Sequence, residues 1–141
     1  MSDDTSDQPR LPLPVPNADN QGFWDGCRQH ELRLQRCRAC GRLRHPPRPM
    51  CARCNALEYD WARSSGRGTL FTFSIVHGPT LPVFQARAPY NVAVIELDEG
   101  QFIVSNIVDC PAEALRIGMR VAVVFDDVTD TVSLPKFRPA T

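Results

Sequence analysis

At 141 residues the chain holds one ordinary domain, or a small one plus a metal-stapled module, and its 16 basic and 16 acidic groups cancel. It has no apolar run long enough to span a bilayer. Its start, Met1-Ser-Asp-Asp-Thr-Ser-Asp, lacks the basic-then-apolar order of a secretory signal. A membrane-spanning or secreted protein is therefore set aside, and a cytoplasmic protein with reduced cysteines is expected.

The zero net charge conceals a segregated pattern. Residues 1–25 carry −4, residues 27–54 carry +7 from eight arginines against one glutamate, and residues 63–141 carry −1. Such a basic segment attracts an anion, whether nucleic acid, a phosphorylated cofactor or an acidic protein face.

In chain order, residues 1–20 are acidic and then proline-rich (Pro9, Pro12, Pro14, Pro16), which favours extended polyproline geometry and predicts a disordered arm without a core of its own. A short helix is expected next. Asn20 or Asp19 can cap it, and Phe23, Trp24 and Cys27 lie at rough helical spacing, with Gly26 weakening the pattern. Leu32 and Leu34 alternate with Arg33 and Gln35, as in a strand leading to the first cysteine pair.

Cys37, Cys40, Cys51 and Cys54 form two C-x2-C knuckles ten residues apart. Each knuckle puts two thiolates on one side of a tight turn, with Gly41 where such a turn is wanted. Two facing knuckles complete a tetrahedral cage for Zn2+. Four protein ligands leave no open coordination position, so the ion is structural and activates no water. With the cage's charge of −2 included, the ribbon keeps about five excess positive charges. A pair of disulfides is the alternative, but nothing marks the chain for an oxidising compartment. Cys27 and Cys110 lack partners at metal spacing and read as small semi-buried side chains. Between the knuckles, Arg42-Leu-Arg-His-Pro-Pro-Arg-Pro-Met50 reads as a stiff, basic, solvent-facing finger whose prolines exclude a helix.

After Trp61 the pattern is all β. Phe71, Phe73 and Ile75 alternate with Thr72 and Ser74 in a strand over Thr69–His77. Tyr90–Leu97 is a second strand, Asp98-Glu99-Gly100 a turn, and Gln101–Val108 a returning strand. A helical turn at Ala112–Leu115 precedes strands over Val121–Phe125 and Val132–Leu134, the last ending before Pro135. Five short strands argue a closed barrel, and the position of the turn before the fourth fits an OB-fold. The expected architecture is thus mainly β, in three parts: an arm (1–20), a helix with a zinc ribbon (21–62) and a five-stranded OB-fold barrel (63–141).

No active-site constellation emerges. His30, His45 and His77 are scattered and read as surface or loop histidines, and Asp98-Glu99 and Asp126-Asp127 sit where solvated turns are expected. The loop Gly78–Pro89 carries three prolines with Leu81, Val83, Phe84 and Arg87. Either it packs over the barrel mouth, or a partner protein or an apolar ligand covers it.

Taken together, the chain from about Phe23 to Pro139 resembles a family of small acyl-CoA-associated proteins, a rubredoxin-like zinc ribbon followed by an OB-fold. The resemblance is carried by Phe23-Trp24, Leu34-Gln35-Arg36-Cys37-Arg-Ala-Cys40-Gly41, and Pro46-Pro47-Arg48 before Cys51-Ala-Arg-Cys54. Trp61 with Ser65-Gly66-Arg67-Gly68-Thr69, Pro89-Tyr90, Ile117-Gly118-Met119 and Pro135-Lys-Phe137 complete it. It implies a non-catalytic accessory subunit that binds a thiolase-like or aldolase enzyme, including those that shorten steroid side chains, and helps shape or relay an acyl-CoA arm. One departure stands out: relatives commonly have glycine in the turn before the first knuckle, where this chain reads Gln29-His30-Glu31-Leu32.

An Arg-rich finger beside an apolar barrel loop suits a ligand with a polyanionic end and an apolar end. Arg48 is the candidate for phosphate or interface contact, and Phe84 and Tyr90 for the apolar side. A single-stranded nucleic-acid-binding module is the alternative, since zinc ribbons and OB-folds both serve that role. It is weakened by the barrel's charge of −1 and by Phe71, Phe73 and Phe102 lying among apolar neighbours.

Overall fold

The computed structural model describes residues 11–140, so the expectation of disorder over residues 1–10 lies outside the described residues. Residues 11–16 form no regular element, and residues 17–20 make a turn into helix α1 (Gln21–Arg28). The helix starts where expected but is not capped as expected. Asn20 gives the helix no side-chain bond. Instead the Asn20 Oδ1 accepts from the Asn17 N–H at 2.7 Å, while Asn17 Oδ1 accepts from the N–H groups of Asp19 and Asn20. This reciprocal pair braces the turn that feeds the helix.

The ribbon is a three-stranded antiparallel sheet, order β2-β1-β3, of β1 (Arg33–Cys37), β2 (Leu43–Arg44) and β3 (Tyr59–Arg63). Helix α1 packs closely on it because Gly22 and Gly26 lie one turn apart. A Cβ at Gly22 would collide with the Trp61 indole, and one at Gly26 would stand 2.7 Å from Arg33 Cδ. Gly26, which weakens helix propensity, is therefore what lets this helix dock.

The barrel is a curled five-stranded sheet, order β6-β5-β4-β7-β8. Its strands are β4 (Arg67–Val76), β5 (Tyr90–Leu97), β6 (Phe102–Ser105), β7 (Arg120–Asp127) and β8 (Ser133–Pro139). A short helix α2 (Pro82–Gln85) lies in the β4–β5 loop, and a 3-10 turn covers Ala112–Ala114. Leu70, Ala93, Ile95, Leu97, Ile103, Val121 and Phe137 fill the interior, and Phe23, Cys27, Leu32 and Leu34 continue the same cluster into the ribbon side. The barrel core and the helix–ribbon core are therefore continuous.

Three strand expectations are corrected. A β-bulge between Leu70 and Thr72 leaves Leu70 buried and turns Phe71 outward, so only Phe73 and Ile75 share the inner face. The third barrel strand ends at Ser105 because the chain then leaves β5 for β8. Phe137 donates its N–H to the Asn106 carbonyl at 3.0 Å and accepts from the Val108 N–H at 2.7 Å, which closes the seam. Asn91 pins the crossing: its Nδ2 donates to the Ile107 carbonyl and its Oδ1 accepts from the Ile107 N–H. The last strand does not stop at Pro135. Pro135 and Pro139 have the same parity as Phe137, whose N–H points to the seam and not to β7, so neither proline removes a ladder bond. Among the described residues no helix is long and apolar enough to cross a membrane.

Candidate metal centre and adjoining clefts

The two knuckles have the same backbone construction. In the first, Gly41 donates its N–H to the Cys37 carbonyl at 2.9 Å and Cys37 donates to the Arg42 carbonyl at 2.9 Å. In the second, Asn55 donates to Cys51 at 2.8 Å and Cys51 to Ala56 at 2.9 Å. Both turns need a left-handed residue after the second cysteine, supplied by Gly41 at φ +78° and Asn55 at φ +64°. The Gly41 position was legible in the sequence. Asn55, among the few other residues that adopt this conformation readily, is its counterpart and was missed.

The knuckles bring the Cys37, Cys40, Cys51 and Cys54 sulfurs within 4.8 Å of one another. The Cys37–Cys54 pair stands at 3.5 Å and Cys40–Cys51 at 3.7 Å. A tetrahedral ion with metal–sulfur bonds of ~2.3 Å needs sulfur–sulfur edges of about 3.8 Å, so the donor set fits a Zn2+-sized soft cation. The electrostatics agree. The backbone N–H groups of Cys54 and Arg53 pull the Cys51 thiol down to about 6, and that of Cys40 lowers Cys37. The Ala56 N–H likewise favours a Cys54 thiolate, but the crowding sulfurs of Cys37, Cys40 and Cys51 outweigh it and raise that group to about 11. Four sulfurs cannot all ionise at this spacing without a cation among them. Cys27, by contrast, is fully buried in the apolar core, and desolvation raises its thiol to about 12.

Behind the cage lies a polar hub that strand alternation hides. Gln35 is 0% exposed, although its neighbour Leu34 is also buried. Its Oε1 accepts from Arg44 Nε at 2.7 Å and from the Arg48 N–H at 2.8 Å. Arg44 Nη2 donates to the Arg48 carbonyl at 2.9 Å, and the guanidinium lies 5.1 Å from the Tyr59 ring centre. The expected solvent-facing finger is thus folded back through Arg44, while the Arg48 side chain remains exposed. Arg44 Nη1 and His45 Nδ1 are buried without a protein partner. His45 lies in a loop, as one of its two readings had it, but is turned inward: it packs against Phe23, and burial pushes its imidazole down to about 4.

His30 explains the missing glycine. It adopts φ +61°, the left-handed conformation that glycine ordinarily supplies. Its ring stacks on Phe125 at 5.1 Å, and Nε2 lies 2.9 Å from Asp127, whose carboxylate also accepts from buried Ser133. Those contacts, spanning ribbon and barrel, offset the strain.

Phe84 and Tyr90 lie side by side, ring centres 6.1 Å apart. They line a cleft of about 450 Å³ with Arg87, Leu134 and Lys136, and Leu11 and Pro12 form part of its wall. A second cleft of about 390 Å³ is lined by Trp24, His45, Pro46, Pro47 and Ile103. Asn106, Leu134 and Lys136 line both. Arg48 lines neither. Lys136 was not singled out from the sequence, although it is the one lysine among the sixteen basic residues.

Residues 24–60 match the family model of the ChsH2 rubredoxin-like zinc ribbon domain, and residues 61–126 that of the ChsH2 C-terminal OB-fold domain. The chain is 36% identical, over 99% of its length, to a probable enoyl-CoA hydratase alpha subunit of Thermomonospora curvata. It is 35% identical, over 90% of its length, to the 3-oxo-4,17-pregnadiene-20-carboxyl-CoA hydratase alpha subunit of Mycobacterium tuberculosis. It spans only 44% and 40% of those two proteins. A solved Ltp2-ChsH2(DUF35) aldolase superposes with a TM-score of 0.83 at 37% identity, covering 91% of this chain and 99% of the matched one. With both halves matched and the order of ribbon and barrel preserved, the chain belongs to the ChsH2/DUF35 family.

Proposed function

We propose that this chain is a non-catalytic accessory subunit that docks on a thiolase-like or aldolase enzyme and helps bind or channel an acyl-CoA at the shared interface. Residues 21–62 serve as its helix and zinc ribbon, residues 63–141 as its barrel, and residues 1–20 as an arm. Cys37, Cys40, Cys51 and Cys54 would hold a Zn2+ ion that supplies a structural cross-link and no open coordination position.

The observation that carries the docking reading is an apolar patch on the outer face of the barrel. Phe71 is 51% exposed, Phe102 44%, Val104 66% and Ile117 68%, and the two phenylalanines meet edge to face at 5.0 Å. An exposed aromatic pair of this kind is a usual centre of a protein interface, and water solvates it poorly. The names of the relatives supply the kind of partner, since they are subunits of CoA-ester hydratases and of an aldolase. Glu96 stands opposite Phe102 in the β5–β6 register, which sets a carboxylate beside the aromatic pair and weighs against single-stranded nucleic acid. Arg48, exposed on the ribbon, is proposed as an interface or phosphate contact, and Phe84 and Tyr90 as contacts for the acyl or pantetheine portion.

Affinity purification of the full chain from its native host, with mass-spectrometric identification, tests this reading. A thiolase-fold enzyme should co-purify in stoichiometric amount, and enoyl-CoA hydration or retro-aldol turnover should appear only in the complex. Turnover of a thioester by the isolated chain would overturn it.

A further inference from the structure

Strand β6 ends the barrel sheet, and only β5 pairs with it. The parity of that ladder decides which residues lie open. Leu97 donates its N–H to the Gln101 carbonyl at 2.8 Å, which makes those two a hydrogen-bonded pair where β5 meets β6. Ile103 and then Ser105 take the next bonded positions, opposite Ile95 and Ala93. Phe102 and Val104 therefore aim both N–H and C=O away from β5. Asn106 has the same parity and the same direction, since its carbonyl accepts from Phe137 across the seam. Among the described residues, no main-chain group of another element meets those of Phe102 and Val104.

The chain is poorly equipped to close this edge itself. Across the seam Pro135 has no N–H, and its carbonyl is taken by Ser105 Oγ at 2.8 Å. The finger alongside carries Pro46 and Pro47, equally without donors. Between these prolines and β6 runs the cleft of about 390 Å³, whose lining includes Ile103, Val104 and Leu134. Lys136 is the one Lys, Arg, Asp or Glu along it, so a nucleic-acid strand finds a single cation there. Nor is the edge blunted by charge, because Phe102 and Val104 are both apolar and exposed. Two open residues two positions apart repeat a donor and an acceptor every ~7 Å, the spacing of an extended chain. A helix keeps its own N–H and C=O groups engaged and cannot answer them, whereas an extended peptide can.

We propose that β6 receives an extended strand of the catalytic partner, which pairs with Phe102 and Val104 and adds a sixth strand to the five-stranded sheet. This rests on the docking role proposed above and supplies its mode, main-chain pairing beside the outer apolar patch. The incoming segment is apolar on both sides. Its alternate side chains meet the Phe71–Phe102 pair outside and Trp24 and Leu134 within the cleft.

Residue-resolved hydrogen exchange tests this on the full chain, alone and in complex with the enzyme that co-purifies with it. In the free chain the Ile103 and Ser105 amides should exchange slowly, and those of Phe102 and Val104 at least about a hundredfold faster. In the complex the Phe102 and Val104 amides should slow to match. Val104→Pro deletes an outward donor and no β5 bond, so it should melt within a few degrees of the unmodified chain. It should bind the enzyme about tenfold more weakly than Val104→Ala, which trims the side chain but keeps the N–H. The proposal is overturned, with the docking role left standing, by Phe102 and Val104 amides that still exchange freely in the complex. A folded Val104→Pro that binds like Val104→Ala has the same consequence. A dimer of the free chain that Val104→Pro abolishes would assign the edge to a second copy and overturn it too. If no enzyme co-purifies, the docking role and this mode of it fall together.

Discussion

The ribbon and the barrel reach order by different means. In the ribbon, strands of five, two and five residues surround a sulfur cage that fits a metal ion and a buried Gln35–Arg44–Arg48 network, so polar contacts do much of the holding. In the barrel, five strands of four to ten residues enclose an apolar interior, closed by backbone bonds at the Asn106–Phe137 seam. The ribbon sequence is basic and the barrel near neutral, but the exposed apolar patch is on the barrel. A small module that cannot bury enough apolar surface needs a metal staple, while a barrel with its own core can spare phenylalanines for its outside.

Removing the metal should separate the two most sharply. Structural Zn2+ contributes about 10–16 kcal/mol in zinc-finger peptides at neutral pH, so chelation or Cys51→Ser should unravel residues 33–63. Limited proteolysis should then cut first between the knuckles. The barrel should persist at a lower melting temperature, because Leu32 and Leu34 belong to the shared core. Survival of the ribbon at full thermal stability would contradict the metal reading. Gln35→Ala comes next. It strips the acceptor from both Arg44 Nε and the Arg48 N–H and should cost about 3–5 kcal/mol in chemical denaturation.

His45 gives a pH test of the junction. Its folded-state value is depressed to about 4 from 6.5, so the unfolded chain takes up the proton first. The stability it contributes is complete above pH 6.5 and is lost as pH falls toward 4, a change of about 3 kcal/mol. His45→Phe should flatten that part of the profile while keeping the packing on Phe23. The smallest effect is expected at His30, where His30→Gly relieves a left-handed backbone but gives up the Phe125 stack and the Asp127 bond. The two terms should cancel to within about 1 kcal/mol.

The same contrast explains what the sequence made legible. Cysteine spacing with a turn glycine defines the ribbon within a few residues, because metal geometry leaves few alternatives. Tyr90–Leu97 is recovered end for end, since Tyr90, Val92, Val94 and Ile95 give the run a β-rich character and Pro89 and an Asp-Glu-Gly turn bound it. What escaped depends on long-range geometry. The bulge at Phe71 reverses inside and outside, and the tolerance of Pro135 and Pro139 depends on which way the N–H of β8 faces. The burial of Gln35 arises because the finger folds back over a strand whose other face is already covered. Phe84 and Tyr90 could be named one by one as apolar candidates, but that their rings meet, and that Lys136 lines the same cleft, needed the folded chain.

The central claim is that the barrel's outer patch joins this chain to a catalytic subunit. Sedimentation velocity of the co-purified complex, with the unmodified chain and with Phe71→Asp/Phe102→Asp, tests it most directly. Both side chains are half exposed, so the variant should keep its zinc content and melting temperature. The account predicts one heavier boundary containing both proteins for the unmodified chain, and two separate boundaries for the variant. A variant that stays folded and sediments with the enzyme as before would contradict it.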